Sequence, residues 1–390
     1  MKIAVIFESS PFDRKGLFNA VHNRITHLAA AGEGICTVDA FCIHSYDNAF
    51  TRRVRYTPEV TRSDTASVEG TTYRMLWYRF SIIDHVLSGK LHLKPLFFPY
   101  FVDSAASCLK GYDVIAAHSF AGAAVAYAAH KAYGMPYYVS WHGSDVHTHP
   151  RRNPLVLDNT RKFMEAAACN FFVSSSLLEA SGYISDSACK KILRNGVAES
   201  FIKLPDSERK KLRERFGVTP GKKVVAFAGN LVAVKNVTVL QPLFHAIQTG
   251  FDGEIEFWII GDGKLRGKIV PPLIRDKTIT VRFWGNVSSG TMPAMMNCID
   301  LLVMPSLNEG LPLAAAEALK CGAAVIGSAA GGIPEVIGDE CAVPLGPSFV
   351  EDMAALGCRL LAEGASGQVP GNMDWNKTAA AELDFVRQLL

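Results

Sequence analysis

Apolar residues fall in short runs separated by helix-length segments along most of the chain. The first run, residues 2–7, reads as a buried strand. Leu17, Val21, Ile25 and Leu28 then recur at helical spacing over residues 17–31, and Gly32 closes that segment. Further runs at 113–117, 136–141 and 169–173 predict strands, with an Ala-rich helix over 121–133 ended by Gly134. Runs that are apolar on both faces and separated by helices point to a parallel sheet.

The rhythm breaks around Arg194-Asn195-Gly196 into a charged stretch, Asp206 to Arg215, and restarts at Lys222. A second series predicts strands at 224–228, 254–260, 278–283, 300–304 and 323–327, each ending in a Gly-rich or polar turn. The pattern is α/β with two doubly wound sheets. The length, 390 residues, also exceeds what one core usually serves. Ligands of such sheets bind beyond the carboxyl ends of the strands, so the informative residues are those just after each apolar run.

Composition adds modest constraints. Hydrophobic residues make up 49% and charged ones 20%, as expected of a soluble globular protein. The opening run is too brief for a signal peptide or a membrane span. Nine scattered cysteines with no Cys-x-x-Cys pair point to a reducing cytoplasm and give no sequence signature of a zinc site. The net charge of +3 is uneven: residues 1–195 carry 21 basic against 16 acidic side chains, residues 196–390 carry 19 against 21. Residues 51–100 alone hold eight basic and four acidic groups interleaved with aromatics such as Tyr73, Trp77, Phe97 and Tyr100. Two readings stay open for that stretch, a face for anionic lipid headgroups or an acidic acceptor, and a solvated basic surface over ordinary aromatic core. Nucleic acid is not indicated, because the pI of about 8.3 is modest and no nucleic-acid motif accompanies the patch.

The densest chemistry follows Met304. Pro312 suits a helix start and Gly322 its end, so the helix N-terminus lies at the carboxyl edge of the sheet, where free amides and the macrodipole suit a diphosphate. Glu309 lies in the loop before this helix and Glu317 about two turns into it, up to roughly 12 Å apart at helical rise.

With this spacing the chain resembles the retaining glycosyltransferases often called family four, of the two-Rossmann-domain GT-B type, whose signature is two glutamates separated by seven residues. The flanking Asn308-Glu309-Gly310-Leu311-Pro312 and Gly331-Gly332-Ile333-Pro334-Glu335 resemble it too. The resemblance implies two Rossmann-like domains facing across a cleft. The first would span 1–195, on the acceptor side, completed by a C-terminal helix at 374–390. The second would span 196–373, on the donor side. It implies a nucleotide diphosphate sugar as donor substrate, no required cofactor and no metal site. It assigns Glu309 to the donor sugar, Glu317 to the ribose hydroxyls, and the Gly310, Leu311, Pro312 and Leu313 segment to the phosphates.

Gly229-Asn230-Leu231-Val232-Ala233-Val234-Lys235 resembles the family's loop in which an arginine and a lysine five residues apart grip the phosphates. Lys235 fits the lysine, whereas Asn230 stands where the arginine is expected. An asparagine supplies neither charge nor a bidentate fork, so neutralisation would rest on Lys235, the helix terminus or a metal ion. Gly261 and Asn286 open turns that in relatives lie near the diphosphate and base.

In the first domain His142-Gly143-Ser144-Asp145 resembles the family's His-Gly-x-Asp segment, which implies His142 at the donor sugar as a positioning group, with Asp145 touching acceptor or holding the His142 tautomer. His118 and Ser119 also follow a strand and read more readily as structural. The first loop keeps only Gly16 of the family's glycine pair, for the diphosphate, and Asp13, Arg14 or Lys15 for the acceptor.

The implied function is transfer to a glycan or lipid-linked acceptor in cell-surface polysaccharide or glycoconjugate synthesis, from a cytoplasmic location or one peripheral to an anionic membrane. A non-catalytic sugar-nucleotide-binding subunit and a sugar-nucleotide epimerase or hydrolase are the alternatives.

Overall fold

Strand β1 (Lys2–Glu8) buries five consecutive residues from Ile3 to Phe7, as a strand covered on both faces must. A computed structural model describes residues 1–390 of the chain except 13–15, 56–58, 90, 92, 94, 187 and 365. The described chain divides into two units, Met1–Gly196 with Asp374–Leu390, and Val197–Met373.

In the first unit β1 pairs in parallel with β2 (Thr37–Tyr46) on one side and with β5 (Val114–His118) on the other. Beyond β2 lie β3 (Thr65–Val68) and β4 (Thr71–Arg79), an antiparallel hairpin whose two-residue turn places Glu69 and Gly70 at positive φ, matching the twist of the flanking strands. Beyond β5 lie β6 (Tyr137–Trp141), β7 (Cys169–Phe172) and β8 (Lys190–Ile192). Among the described residues the order is β3-β4-β2-β1-β5-β6-β7-β8.

The helix Gly16–Ala31 covers this sheet, and the C-terminal helix Trp375–Leu389 packs against it. Two buried side chains join the helices: Arg24 Nε donates to Glu382 Oε2 at 2.6 Å, while Tyr138 Oη donates to Glu382 Oε1 at 2.7 Å. Asp374 caps the C-terminal helix by accepting from the amides of Asn376 and Lys377. Gly196 lies so close to Trp375 that a Cβ there would stand 2.3 Å from the Trp375 nitrogen.

The second unit holds β9 (Lys223–Ala228), β10 (Ile255–Ile260), β11 (Thr280–Gly285), β12 (Leu301–Met304), β13 (Ala324–Ser328) and β14 (Ala342–Val343), all parallel, in the order β11-β10-β9-β12-β13-β14. The charged stretch Asp206–Arg215 is a helix. Arg209 and Arg213 from that helix both bond Asp300, which also accepts from the Val224 amide at 2.7 Å. Charge in that segment therefore anchors the helix to the sheet.

The buried Arg24–Glu382 pair has a measurable consequence. Removing one member of a buried pair strands the other charge, at a cost of about 3–5 kcal/mol. Glu382→Ala is expected to lower the unfolding free energy of the first unit by that order in denaturant titration; a change under about 1 kcal/mol would show that the pair does not hold the C-terminal helix.

Candidate functional site

Sheet order decides which loops meet. In the second unit β9 lies between β10 and β12, so the chain winds outward in one direction from β9 through β10 to β11 and in the other from β12 to β14. The loops after β9 and β12 therefore open side by side at the point where the winding reverses, the usual ligand position in such sheets.

Main-chain contacts fasten these loops together. Gly229 N–H donates to Ile260 O at 2.9 Å, Leu231 N–H to Asp262 O at 3.0 Å, and Leu307 N–H to Val234 O at 2.8 Å. Gly261 adopts φ +121, and a Cβ there would lie 2.1 Å from Gly229 O, so only glycine permits that approach. The turn after β13 does the same for the loop after β12. Gly331, at φ +60, has its Cβ position 2.2 Å from Glu309 O, and Gly332 N–H donates to that oxygen at 2.9 Å.

On this scaffold Lys235 Nζ donates to Glu309 Oε1 at 2.5 Å, across a separation of 74 residues. Both side chains are largely buried yet reachable, 24% and 13% exposed. Beside them begins the helix Leu313–Lys320, with Pro312 at its N-cap and Gly322 in the left-handed conformation beyond its end, where Ala323 N–H returns to Ala318 O at 3.0 Å. Its first amides have no acceptor within the helix. Gly310, Leu311 and Pro312 are buried in the approach to it.

Glu317 stands on this helix with no hydrogen-bond or ion-pair partner among the described residues. Its residue is half-buried, and the surrounding protein, by displacing water, raises its pKa from 4.5 to about 8. An unpartnered carboxyl group is available to the hydroxyl groups of a ligand, and accepting from them favours its ionised form. Asn230 and Asn286 are exposed at the mouths of their loops. Asn230 brings no charge to the lysine–glutamate pair.

The first unit places its candidates after β1, β5 and β6. His142 Nε2 and His118 Nδ1 lie 3.0 Å apart, with the rings stacked at 5.3 Å between centroids. Burial lowers the pKa of both rings below the usual histidine value; the positive charge of Arg24 adds to this, while Asp145 partly offsets it at His142. Both are neutral at neutral pH, and one proton bridges the pair. The Asp145 carboxylate accepts from the backbone amides of His142 (3.2 and 3.3 Å) and Gly143 (2.8 Å), so it shapes the turn. The ring partner that sets the His142 tautomer is thus His118, a residue sequence reasoning left on the structural side because a lone histidine after a strand carries no pattern. Ser119, next in sequence, has φ +59, and this bend helps turn the chain from β5 into the following helix. Gly16 begins the helix Gly16–Ala31, and a Cβ there would meet nothing within 4 Å, so protein packing does not require its glycine. Asp13, Arg14 and Lys15 lie outside the described residues.

Among the described residues no group of three or more His, Cys, Asp or Glu side chains is placed to hold a metal ion.

Comparison with known proteins defines the class of fold. Residues 222–363 match the family described as Glycosyl transferases group 1. A glycosyltransferase assigned to teichuronic acid biosynthesis in Bacillus subtilis is 25% identical over 252 residues, 62% of this chain and 59% of that protein. The chain thus spans about three-fifths of the length of the curated relatives it matches. Among solved structures, a sucrose-phosphate synthase from Thermosynechococcus elongatus superposes with a TM-score of 0.76 at 18% identity, covering 100% of this chain and 98% of the other. HepE of Anabaena, solved with UDP-glucose, superposes with a TM-score of 0.67 at 18% identity, covering 99% and 100%. The likeness to these two solved structures is one of fold, two α/β units each built on a largely parallel sheet.

The two units respond to pH in opposite senses. Glu317 holds a proton in the folded state that the unfolded chain releases above pH 4.5, so stability is lost as pH rises from there to about 8. The histidine pair stays neutral where the unfolded chain takes up protons, so stability is lost as pH falls below 6.5. In a pH series of thermal melts, Glu317→Gln is expected to match the parent near pH 4.5 and to melt progressively higher than it towards pH 8. A constant offset would refute the raised proton affinity of Glu317.

Proposed function

We propose that the chain is a retaining glycosyltransferase that moves a sugar from a nucleotide diphosphate donor to a glycan or lipid-linked acceptor, in cell-surface polysaccharide or glycoconjugate synthesis. The observation that carries this reading is the Lys235–Glu309 pair at the winding reversal of the second sheet, beside the free amides of the helix Leu313–Lys320. The family match over residues 222–363 and the likeness to HepE, which was solved with UDP-glucose, support it.

In this reading the bond between the anomeric carbon and the diphosphate oxygen breaks, and negative charge grows on the leaving phosphate. Lys235 and the backbone amides of Gly310, Leu311 and Leu313 stabilise that charge in place of water. Glu309 orients both Lys235 and the sugar. Glu317 accepts from the ribose hydroxyls, which favours its ionised form, so donor binding releases a proton when the pH lies below about 8. The acceptor oxygen bonds the anomeric carbon from the face the diphosphate leaves, and its proton passes to the leaving phosphate. Gly261 and Asn286 belong to the turns beside diphosphate and base, and Asn230 contributes a neutral hydrogen bond. His142 is the catalytic candidate of the first unit, with Gly16, Asp13, Arg14 and Asp145 as its further ligand contacts. The reading requires no cofactor and places the protein in the cytoplasm.

The second reading, a subunit that binds a sugar nucleotide without transferring the sugar, is favoured only by the missing charge at Asn230. A thermal-shift screen of nucleotide sugars identifies the donor, since a ligand selective for the folded state raises the melting temperature. With that donor, Glu309→Gln and Lys235→Ala are each expected to lower transfer at least tenfold in a folded protein, and near-normal turnover would sink the assignment. Calorimetry of donor binding at pH 7 in buffers of different ionisation enthalpy is expected to show proton release that Glu317→Gln abolishes.

A further inference from the structure

At the end of the first sheet's strand order β8, three residues long, pairs in parallel with β7. The register sets Asn170 against Lys190, so Cys169 and Cys189, one residue earlier on each strand, are neighbours as well. Their sulfurs lie 3.3 Å apart, and both thiols are free. Asn170 fastens the strands at this point. Its amide donates to Cys189 O at 2.9 Å, its Nδ2 donates to the same oxygen at 3.2 Å and to Met164 O at 2.9 Å, and its Oδ1 accepts from Trp141 Nε1 at 2.9 Å.

That geometry needs little movement to close a disulfide. Neighbouring strands run about 4.8 Å apart, inside the roughly 4.4–6.8 Å between Cα atoms that a disulfide spans. Turning the two side chains is enough to bring the sulfurs from 3.3 Å to the bonded distance of about 2.05 Å. The thiols differ in access. Cys189 is exposed, whereas Cys169 is buried; burial and the adjoining thiol push the Cys169 pKa up, and Lys191 offsets part of that rise. A reagent in solution therefore meets Cys189 first, and Cys169 reaches the sulfur held against it. Lys190 and Lys191 follow Cys189 in the chain, and their charge favours the approach of an anionic reagent. Core packing accounts for Cys169 but not for the exposed Cys189.

We propose that Cys169 and Cys189 are a reversible oxidation site that takes a small anionic thiol disulfide, such as oxidised glutathione, and closes an intramolecular disulfide clamping β8 to β7. The Cys189 thiolate attacks one sulfur of the reagent, the bond between the reagent's sulfurs breaks, and one reagent thiolate leaves. Cys169 then loses its proton and its sulfur attacks Cys189 Sγ, displacing the second reagent thiolate. Two protein thiols are oxidised, one reagent disulfide is reduced to two thiols, and the two protons end on those thiols. Excess thiol runs the exchange backwards. The bond joins positions 20 residues apart, which restricts the unfolded chain and makes the oxidised form the more stable one. None of these residues belongs to the donor site, so the proposal stands apart from the transfer reaction.

Equilibration of the full chain in glutathione buffers of graded reduced-to-oxidised ratio, followed by alkylation and peptide mass mapping, tests it. The parent chain is expected to lose two free thiols together, to yield a linked peptide pair containing Cys169 and Cys189, and to recover both thiols in excess dithiothreitol. Its oxidised form should melt above its reduced form by on the order of 5 °C. Cys189→Ser, a change at an exposed position, is expected to abolish that difference. Cys169→Ala is expected to stop at one glutathione on Cys189, an adduct at least tenfold longer-lived than in the parent. Should Cys169→Ala fail to fold, the parent's own adduct lifetime and the Cys189→Ser melting comparison decide the matter. A lasting glutathione adduct on Cys189 in the parent, linkage of either cysteine to another of the nine, no oxidation at any ratio, or equal melting of the oxidised and reduced parent would overturn the proposal.

Discussion

The contact between Lys235 and Glu309 depends on strand order before it depends on either side chain. Because β9 and β12 are neighbours, their following loops emerge together, and a lysine and a glutamate 74 residues apart can meet at 2.5 Å. The surrounding backbone is arranged to keep that contact. Gly261 and Gly331 let neighbouring loops approach to distances that any side chain would block, and the backbone bond from Leu307 to Val234 joins the loops that carry the pair. Such close main-chain packing lets the two charges be held in place at the end of a sheet, where a ligand can still reach them.

Charge is handled differently in the two units. In the second unit the paired Lys235 and Glu309 compensate one another, while Glu317 is partly desolvated and uncompensated, which raises its proton affinity. In the first, His118 and His142 share one hydrogen bond in a buried, positively biased setting that keeps both rings neutral. A neutral pair can donate or accept with direction but carries no charge. This suits positioning better than neutralisation. Desolvation is the common cause, with opposite results because it penalises whichever form is charged.

Away from these sites, charged residues tie elements together. Glu382 ties the C-terminal helix to Arg24 and Tyr138, Asp300 ties the helix Asp206–Arg215 to the second sheet, and Asp84 folds the segment that leads to the helix Phe98–Ser107. Each is a carboxylate that joins segments distant in sequence. Their chemistry is visible in the chain, but their partners are not, because nothing local distinguishes an acid that reaches inward from one that remains in solvent.

The sequence by itself determined the α/β class and the placement of most second-unit strands. The apolar runs at 224–228, 254–260, 300–304 and 323–327 fall within about one residue of β9, β10, β12 and β13, because a strand covered on both faces needs a continuous apolar stretch. The run at 278–283 is shifted by two residues from β11, whose residues are only half-buried and leave a weaker pattern. It also marked Glu309, Glu317 and Lys235 as candidates through their spacing and their place after strands. Tertiary structure alone decided that Lys235 meets Glu309, that Gly331 braces Glu309, that His118 rather than Asp145 faces the His142 ring, and that Leu91 and Leu93 are left exposed. Periodicity reports which face of an element is buried. Which distant element covers that face, or leaves it open, follows only from how the strands are ordered and how the loops between them are packed.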